Sequence, residues 1–468
     1  MRIVILGAGQ VGASVAEALA SEANDITVVD QDLDRLGKLA DRLDIRTVVG
    51  NAAYPSVLRQ AGVEDTDMLV AVTQSDQTNL VACKIARNLF HVPTRLARLR
   101  SADFLEDEQL LADENFAVDY AICPEQDITD YIVKLIEFPE ALQVMEFADG
   151  RVTLVCVRAV EGGLLVGKQI REMRGHVSPL TGARIAAIFR EHQSVEVDGD
   201  TRIETDDEVF LLAATEHIRS VMRELRRMLE PVRTVMIAGG GHIGAKVAAV
   251  LEHDHQVRVI EHNRQRADQI AGLLAKTVVL CGDATDENLL EHENIDEMDM
   301  FLALTNDDEN NIMAASLAKR LGCQRVLALI NRRAYADMVQ GGPIDIGISP
   351  AQVSIGPLLT YVRRGDVARV HSLRRGAAEA LELIAHGNRA TSKVVGRRID
   401  ELPVLKGARI AAIVRGGGGP ASAYIGSEVI IPHHDTVIED GDHVIVFCVR
   451  KRLVHEVERL FQVSAAYF

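Results

Sequence analysis

Four consecutive apolar residues, Ile3-Val4-Ile5-Leu6, run directly into Gly7-Ala8-Gly9-Gln10-Val11-Gly12 near the start of the chain. A short unbroken apolar run reads as a strand buried on both faces, as in a parallel sheet, and the glycines after it read as a tight turn into a helix. A second strand ends in Val28-Val29-Asp30. The alternation continues with a polar helix from Asp32 to about Leu43, a strand at Thr47-Val48-Val49 and another from Met68 to Val72. A helix from Asp76 through Leu89, a strand from Thr94 to Leu99, a charged helix from Glu106 to Asn115 and a sixth strand from Val118 to Cys123 complete it. Ile128, Tyr131, Ile132, Leu135 and Ile136 then recur at helical spacing until Pro139, which predicts a crossover helix over Asp127 to Phe138. Strands alternating with helices define an α/β domain built on a parallel sheet.

The pattern then changes. Val152 to Val157, Arg184 to Arg190 and Val209 to Ala213 are short β-rich runs, with helix signals at Gly167 to Met173 and Glu216 to Met228. These predict a small α+β domain. From Thr234 the whole plan repeats. Thr234-Val235-Met236-Ile237-Ala238 enters Gly239-Gly240-Gly241-His242-Ile243-Gly244, and Arg258-Val259-Ile260 ends in Glu261. A sixth-strand counterpart spans Ile344 to Pro350, a crossover helix follows around Val353 to Arg363, and a second small domain runs from about Val370. Within it Ala408 to Ile413 answers Ala183 to Ile188. A repeat of this length means duplicated domains rather than a solenoid. The division it predicts is 1–123, 124–230, 231–350 and 351–468. Gly416 to Gly419, before Pro420, reads as a glycine hairpin and not a phosphate loop, because strand flanks it on both sides.

Composition narrows the chemistry. A formal charge of −17 argues against a protein that wraps nucleic acid, which needs a basic face. No apolar run reaches the roughly 18–20 residues that span a bilayer, and the N-terminus enters a core strand at once, leaving no signal peptide, so the chain reads as cytoplasmic. The six cysteines form no C-x-x-C pair, and His253/His255 and His433/His434 lack partners at ligand spacing. No metal site and no disulfide framework is expected.

The glycine turns carry the candidate chemistry. In the first copy Gly7 permits the tight turn, Gly9 lets a pyrophosphate approach the backbone and Gly12 lets the helix pack on the sheet; Ala8, Gln10 and Val11 complete the loop. The N–H groups at the helix start favour an anion. Asp30 lies where ribose hydroxyls would be and disfavours a 2′-phosphate, which points to NAD-type or ATP-type ligands over NADP. Asn51 and Ala52, Thr73 and Gln74, and Arg98 end the next strands at the edge where open parallel sheets bind ligands, with Arg98 a candidate phosphate contact. In the second copy Gly239, Gly240, Gly241, His242, Ile243 and Gly244, then Glu261, Asp283, Ala284, Thr305 and Asn306 hold these places. At a constant interval Ile330 falls opposite Arg98 and Arg332 opposite Arg100, which predicts a weaker second lobe.

These residues together resemble the tandem RCK family, in which a TrkA-N and a TrkA-C type domain occur twice: the cytoplasmic regulatory subunits of Trk potassium uptake systems. The resemblance covers nearly the whole chain and includes Ser372 to Gly376, Thr391 to Gly396 and Val457 to Phe461. It implies Rossmann-like lobes that bind NAD(H), with ATP or ADP also accommodated, and small RCK-C lobes that regulate and assemble. It also implies a homotetrameric ring under a potassium-translocating membrane subunit, reached without direct membrane insertion. An NAD-dependent dehydrogenase is the competing reading. It would need an acid/base pair beside the nicotinamide, and the small domains offer no such constellation.

Overall fold

The computed structural model describes residues 1–20, 24–172, 182–191, 193–332, 335, 339, 342, 344–363, 366–373, 377–403, 405–416 and 427–463. In the first lobe the chain forms β1 (Arg2–Leu6), α1 (Gln10–Ala20), β2 (Asp25–Asp30), α2 (Leu33–Ala40), β3 (Arg46–Val49), α3 (Pro55–Gln60), β4 (Met68–Ala71) and α4 (Asp76–Phe90). Then follow β5 (Thr94–Arg98), α5 (Ala102–Leu105), α6 (Glu108–Leu111), β6 (Tyr120–Ile122) and α7 (Pro124–Glu137). The strands lie in the order β3-β2-β1-β4-β5-β6. Pairing is parallel throughout. This is the doubly wound arrangement, and the order reverses between β1 and β4, where the glycine turn emerges. Its centre is dry: Ile5, Leu6, Leu69 and Val70 are fully buried.

Side-chain caps set the helix starts. Asp32 accepts the N–H groups of Asp34 and Arg35 at the head of α2, and Ser75 accepts that of Thr78 at the head of α4.

The first small domain comprises β7 (Ala141–Phe147), β8 (Val152–Arg158), β9 (Ala183–Arg190), β10 (Gln193–Val195), β11 (Glu208–Ala214) and α8 (Ile218–Met222). Its sheet, in the order β10-β9-β11-β8-β7, is antiparallel. The second lobe repeats the first with β12 (Thr234–Ala238), α9 (His242–Leu251), β13 (Gln256–Glu261), α10 (Arg264–Leu273), β14 (Val278–Cys281) and α11 (Glu287–His292). It ends with β15 (Met300–Ala303), α12 (Asp308–Arg320), β16 (Arg325–Leu329), β17 (Ile346–Ile348) and α13 (Pro350–Val362). Strand order is again that of the first lobe. The second small domain holds β18 (Val367–Leu373), β19 (Ala378–Ile384), β20 (Ala408–Arg415), β21 (Glu428–Ile430), β22 (His443–Cys448) and α14 (Val454–Phe461).

The compact units are not consecutive in sequence. One contains residues 1–130 with 234–361 and the other residues 131–233 with 362–468. Each lobe of the first unit has its own core, whereas the two small sheets of the second share one, with Phe147 and Phe210 beside Ala380 and Phe447.

Several local expectations change. The helix expected over 106–115 is a single turn, α6, which Asp107 caps by accepting the Gln109 N–H, and a separate turn, α5, precedes it at Ala102–Leu105. The helix expected from Glu216 is a 3-10 turn, Thr215–His217, followed by the short α8. The signal from Gly167 becomes one 3-10 turn, Ile170–Glu172, and Met173 lies outside the described residues. Strand β7 leaves no clear alternation in the sequence: its pairing slips between Ala141 and Gln143. Gly416 follows β20 at φ +83°, and the rest of the glycine run lies outside the described residues.

A candidate nucleotide cleft at the first glycine turn

Gly7 has φ +109°, and a Cβ there would lie 2.9 Å from the carbonyl oxygen of Val72. A Cβ on Gly12 would meet the Gly7 oxygen at 1.8 Å. Both glycines are therefore demanded by the fold. Gly9 is different: a Cβ there would meet nothing within 4 Å, and its φ is not positive. Gly241, its counterpart, has the same freedom, while Gly239 and Gly244 repeat the constraints on Gly7 and Gly12. The middle glycine of each turn thus opens space that the protein leaves unfilled.

The strand-end acids fold back on the turns. Asp30 accepts the Ala8 N–H at 2.5 Å through Oδ2 and the Asp32 N–H at 2.9 Å through Oδ1. Glu261 accepts the Gly240 N–H at 2.8 Å and the Asn263 N–H at 2.9 Å. The acids hold the turns. They differ in access: Glu261 is 6% exposed, whereas Asp30 is only half-buried.

A cleft of about 550 Å³ lies against the first turn. Of the residues singled out from sequence, Gly7, Gly9, Gln10, Val11 and Asp30 line it, together with Ala52, Thr73, Gln74 and Arg98. So do His242, Ile243 and Asn306, from the second lobe, so the two lobes build this cleft jointly. Ala8, Gly12 and Asn51 do not line it; Asn51 Oδ1 accepts the Ala53 N–H at 2.9 Å. Gly239, Gly240, Gly241, Gly244, Glu261, Asp283, Ala284 and Thr305 belong to the second turn and its neighbouring strand ends and do not line the first cleft. Asp283 closes its own turn by accepting the Thr285 N–H and hydroxyl, which pull its carboxyl below the usual range.

Thr73 is spent internally. Its hydroxyl lies 2.7 Å from Asn79 Oδ1, which also accepts the Thr73 N–H at 3.0 Å, while Asn79 Nδ2 donates to the Arg98 carbonyl at 2.8 Å. Thr305, Asn311 and the Leu329 carbonyl repeat this lock. The repetition corrects the alignment. Leu329, not Ile330, corresponds to Arg98, and Asn331, not Arg332, to Arg100, because Asp76 accepts the N–H groups of Arg100 and Ser101 while Asp308 accepts those of Asn331 and Arg332. The second lobe is one residue shorter over this stretch, because α12 (Asp308–Arg320) is two residues shorter than α4 (Asp76–Phe90) while the link after it, 321–324 against 91–93, is one residue longer. Arg332 is no substitute for Arg98: its guanidinium meets Glu309 and Tyr335 on the exposed face.

Sequence reasoning missed Glu125. It sits in the first turn of α7, lines the cleft, and accepts from Arg98 Nη2 at 2.9 Å. The available signal was an acid directly after Pro124 at the head of a largely apolar helix. Among the described residues no group of three metal-ligating side chains and no helix long and apolar enough to cross a membrane occurs. Cys83, Cys323 and Cys448 are buried, which pushes their thiols up to about 12.

Residues 3–124 and 235–350 match the TrkA-N domain, and residues 154–226 and 389–462 match the TrkA-C domain. The Trk system potassium uptake protein TrkA of Halomonas elongata is 55% identical over the full length of both chains. The protein of the same name from Vibrio alginolyticus is 52% identical over 99% of each. Among solved structures, the GsuK channel bound to NAD superposes with a TM-score of 0.60 at 19% identity, covering 98% of this chain and 79% of that one. The duplicated parallel sheets, their antiparallel companions and the full-length identity converge: the chain belongs to the TrkA family of Trk system potassium uptake proteins.

Proposed function

We propose that the first-lobe cleft binds NAD(H), with ADP or ATP as competing ligands, and that its occupancy sets the activity of a Trk-type potassium-translocating membrane subunit. Gly9 is the observation that carries the reading. A glycine with open space over its Cβ and ordinary backbone has no duty to the fold, and it stands at the head of α1, where N–H groups and the helix dipole favour phosphate. Asp30 supplies ribose acceptors and Arg98 a phosphate donor beside it. The GsuK structure that holds NAD has the same fold. In the second lobe, the more buried Glu261 and Leu329 in place of Arg98 favour weaker phosphate binding.

A ligand gates only by binding two arrangements of the protein unequally. Helix α7 is the element placed to respond, since its first turn reaches the cleft. The subunit works at the cytoplasmic face through its membrane partner, as a ring of four chains whose domains divide at 123/124, 230/231 and 350/351.

The test is Gly9→Val in the full chain. A branched side chain over the turn occupies the phosphate position and leaves the fold intact, so the thermal midpoint stays within about 2 °C while NADH affinity falls at least about tenfold. In cells lacking their own regulatory subunit, the variant fails to restore regulated potassium uptake. NADH binding equal to the parent's defeats the proposal.

A further inference from the structure

Arg98 and Glu125 form a pair that is shielded but incomplete. Their side chains are 13% and 17% exposed, and Arg98 Nη2 lies 2.9 Å from Glu125 Oε1, with Arg100 Nε 3.9 Å from the same oxygen. Arg98 Nε and Glu125 Oε2 are both out of solvent and without a hydrogen-bond partner. Buried polar atoms are nearly always paired, so one missing donor and one missing acceptor on two touching side chains of a cleft ask for an explanation. A ligand that brings an acceptor to Arg98 and a donor to Glu125 at adjacent points completes both.

The chain contains its own control. In the second lobe Leu329 stands where Arg98 does and Ala351 where Glu125 does, the latter fixed by Pro350 and Pro124 at the heads of α13 and α7. Both partners of the pair are gone together. Had either served packing alone, there would be no reason for the other to vanish with it.

We infer that Glu125 is a specificity-determining residue that makes the first-lobe cleft choose a dinucleotide over a nucleoside triphosphate. This deepens the nucleotide reading above and rests on it. A dinucleotide offers phosphate oxygens to Arg98 and, directly beyond them, the hydroxyls of a second ribose as donors to Glu125. A triphosphate offers only further acceptors at that place and sets additional negative charge against the carboxylate, while Glu125 keeps hold of the guanidinium that would neutralise it. Charge-assisted bonds to Arg are the strong ones, so the two ligands compete with Glu125 on unequal terms.

The experiment measures dissociation constants of NADH and ATP for the full chain, both with a chelator present so that no divalent cation bridges carboxylate and phosphate. Glu125→Gln keeps the shape and removes the charge. ATP affinity is expected to rise about tenfold while NADH affinity changes less than about threefold, so that the ratio moves toward ATP. Glu125→Ala, which installs the residue the second lobe carries, gives a second neutral variant and is expected to shift the ratio in the same direction. The pair Arg98→Leu with Glu125→Ala weakens both ligands and flattens the preference. A parent that binds nucleotide and a ratio that stays within about twofold in both neutral variants overturn the inference alone. A parent that binds neither ligand overturns the nucleotide reading, and the inference with it.

Discussion

Asn79 and Asn311 are fully buried, and each spends its amide on the same bonds: Oδ1 to a threonine at the end of the fourth strand of its lobe, Nδ2 to the carbonyl that ends the fifth. The strand ends at the ligand edge are thereby held in register by one side chain. Replacing Asn79 by Leu leaves the Thr73 N–H and the Arg98 carbonyl without partners, at roughly 2–3 kcal/mol in all. Asn311→Leu costs a similar amount in the second lobe. Only the first change also frees the backbone that carries Arg98, so NADH binding falls several-fold more in Asn79→Leu than in Asn311→Leu; urea unfolding and NADH titration on the two variants read both quantities. Equal binding losses at equal stability would show that Arg98 does not depend on this anchor. The glycines, Asp30 and the threonines were legible in sequence because each stands at a fixed place relative to an apolar strand. Their division of labour was not. That Thr73 serves the frame while Gly9 serves the space is a matter of which atoms are already bonded, and no spacing records it.

Helix α7 joins the sheet edge to the chain beyond it, and its first two turns carry three acids, Glu125, Asp127 and Asp130. The expectation of a crossover helix from Asp127 to Phe138 found the element but began it too late, because Pro124 is at home in a first helical turn. That shift hid Glu125. The one-residue slip between the lobes was hidden for a related reason: the aligned motifs lie at or before the heads of α4 and α12, and the shortening lies further on, in the length of the helix and the link to the fifth strand. Asp127 supplies a test at this scale. Burial pushes its carboxyl from the ordinary 3.8 up to about 6; Ser354 works against the rise, Asp130 and Glu125 add to it, and Lys246 opposes it. Folded protein therefore keeps a proton on Asp127 between about pH 4 and 6, where the unfolded chain has lost it. The stability of the neutral form is fully present below about pH 4, declines as pH rises to about 6, and is absent above, at a cost of ~3 kcal/mol. Asp127→Asn removes that slope and is more stable than the parent above about pH 6. Thermal midpoints from pH 4.5 to about 7.5 decide it, and parallel pH profiles in parent and variant would refute the assignment.

In the whole molecule the order of domains along the chain and their grouping in space diverge. Each small sheet finds its core partner in the other half of the sequence: Phe210 lies 5.4 Å from Phe447 between ring centres, the Ala148 N–H is bonded to Glu382 at 2.9 Å, and Arg184 donates to the Ile410 carbonyl at 2.7 Å. No local pattern announces such a pairing. An apolar strand face looks the same in sequence whether a helix or a distant sheet covers it, which is why the duplication was legible and the shared core was not. The consequence is specific. Severing the chain between Glu230 and Pro231, where the backbone is exposed and outside regular structure, cuts no element but leaves each small sheet without its cover. Apolar faces of this kind are worth about 25 cal/mol for each Å² removed from water, enough to hold two fragments together once the covalent link no longer supplies the local concentration. Residues 1–230 carrying an affinity tag and residues 231–468 without one, produced in the same cell, should therefore co-purify in equal amounts. Expressed alone, each half aggregates or pairs with its own copy. Phe210→Asp places a charge in the shared core and abolishes co-purification, because the residues directly opposite it in the sheet, Cys156 and Ala187, are buried and offer a carboxylate no cation. Two halves that are each monomeric and monodisperse, and that do not bind one another, would show that each small sheet is stable alone and that the shared core is not what joins them.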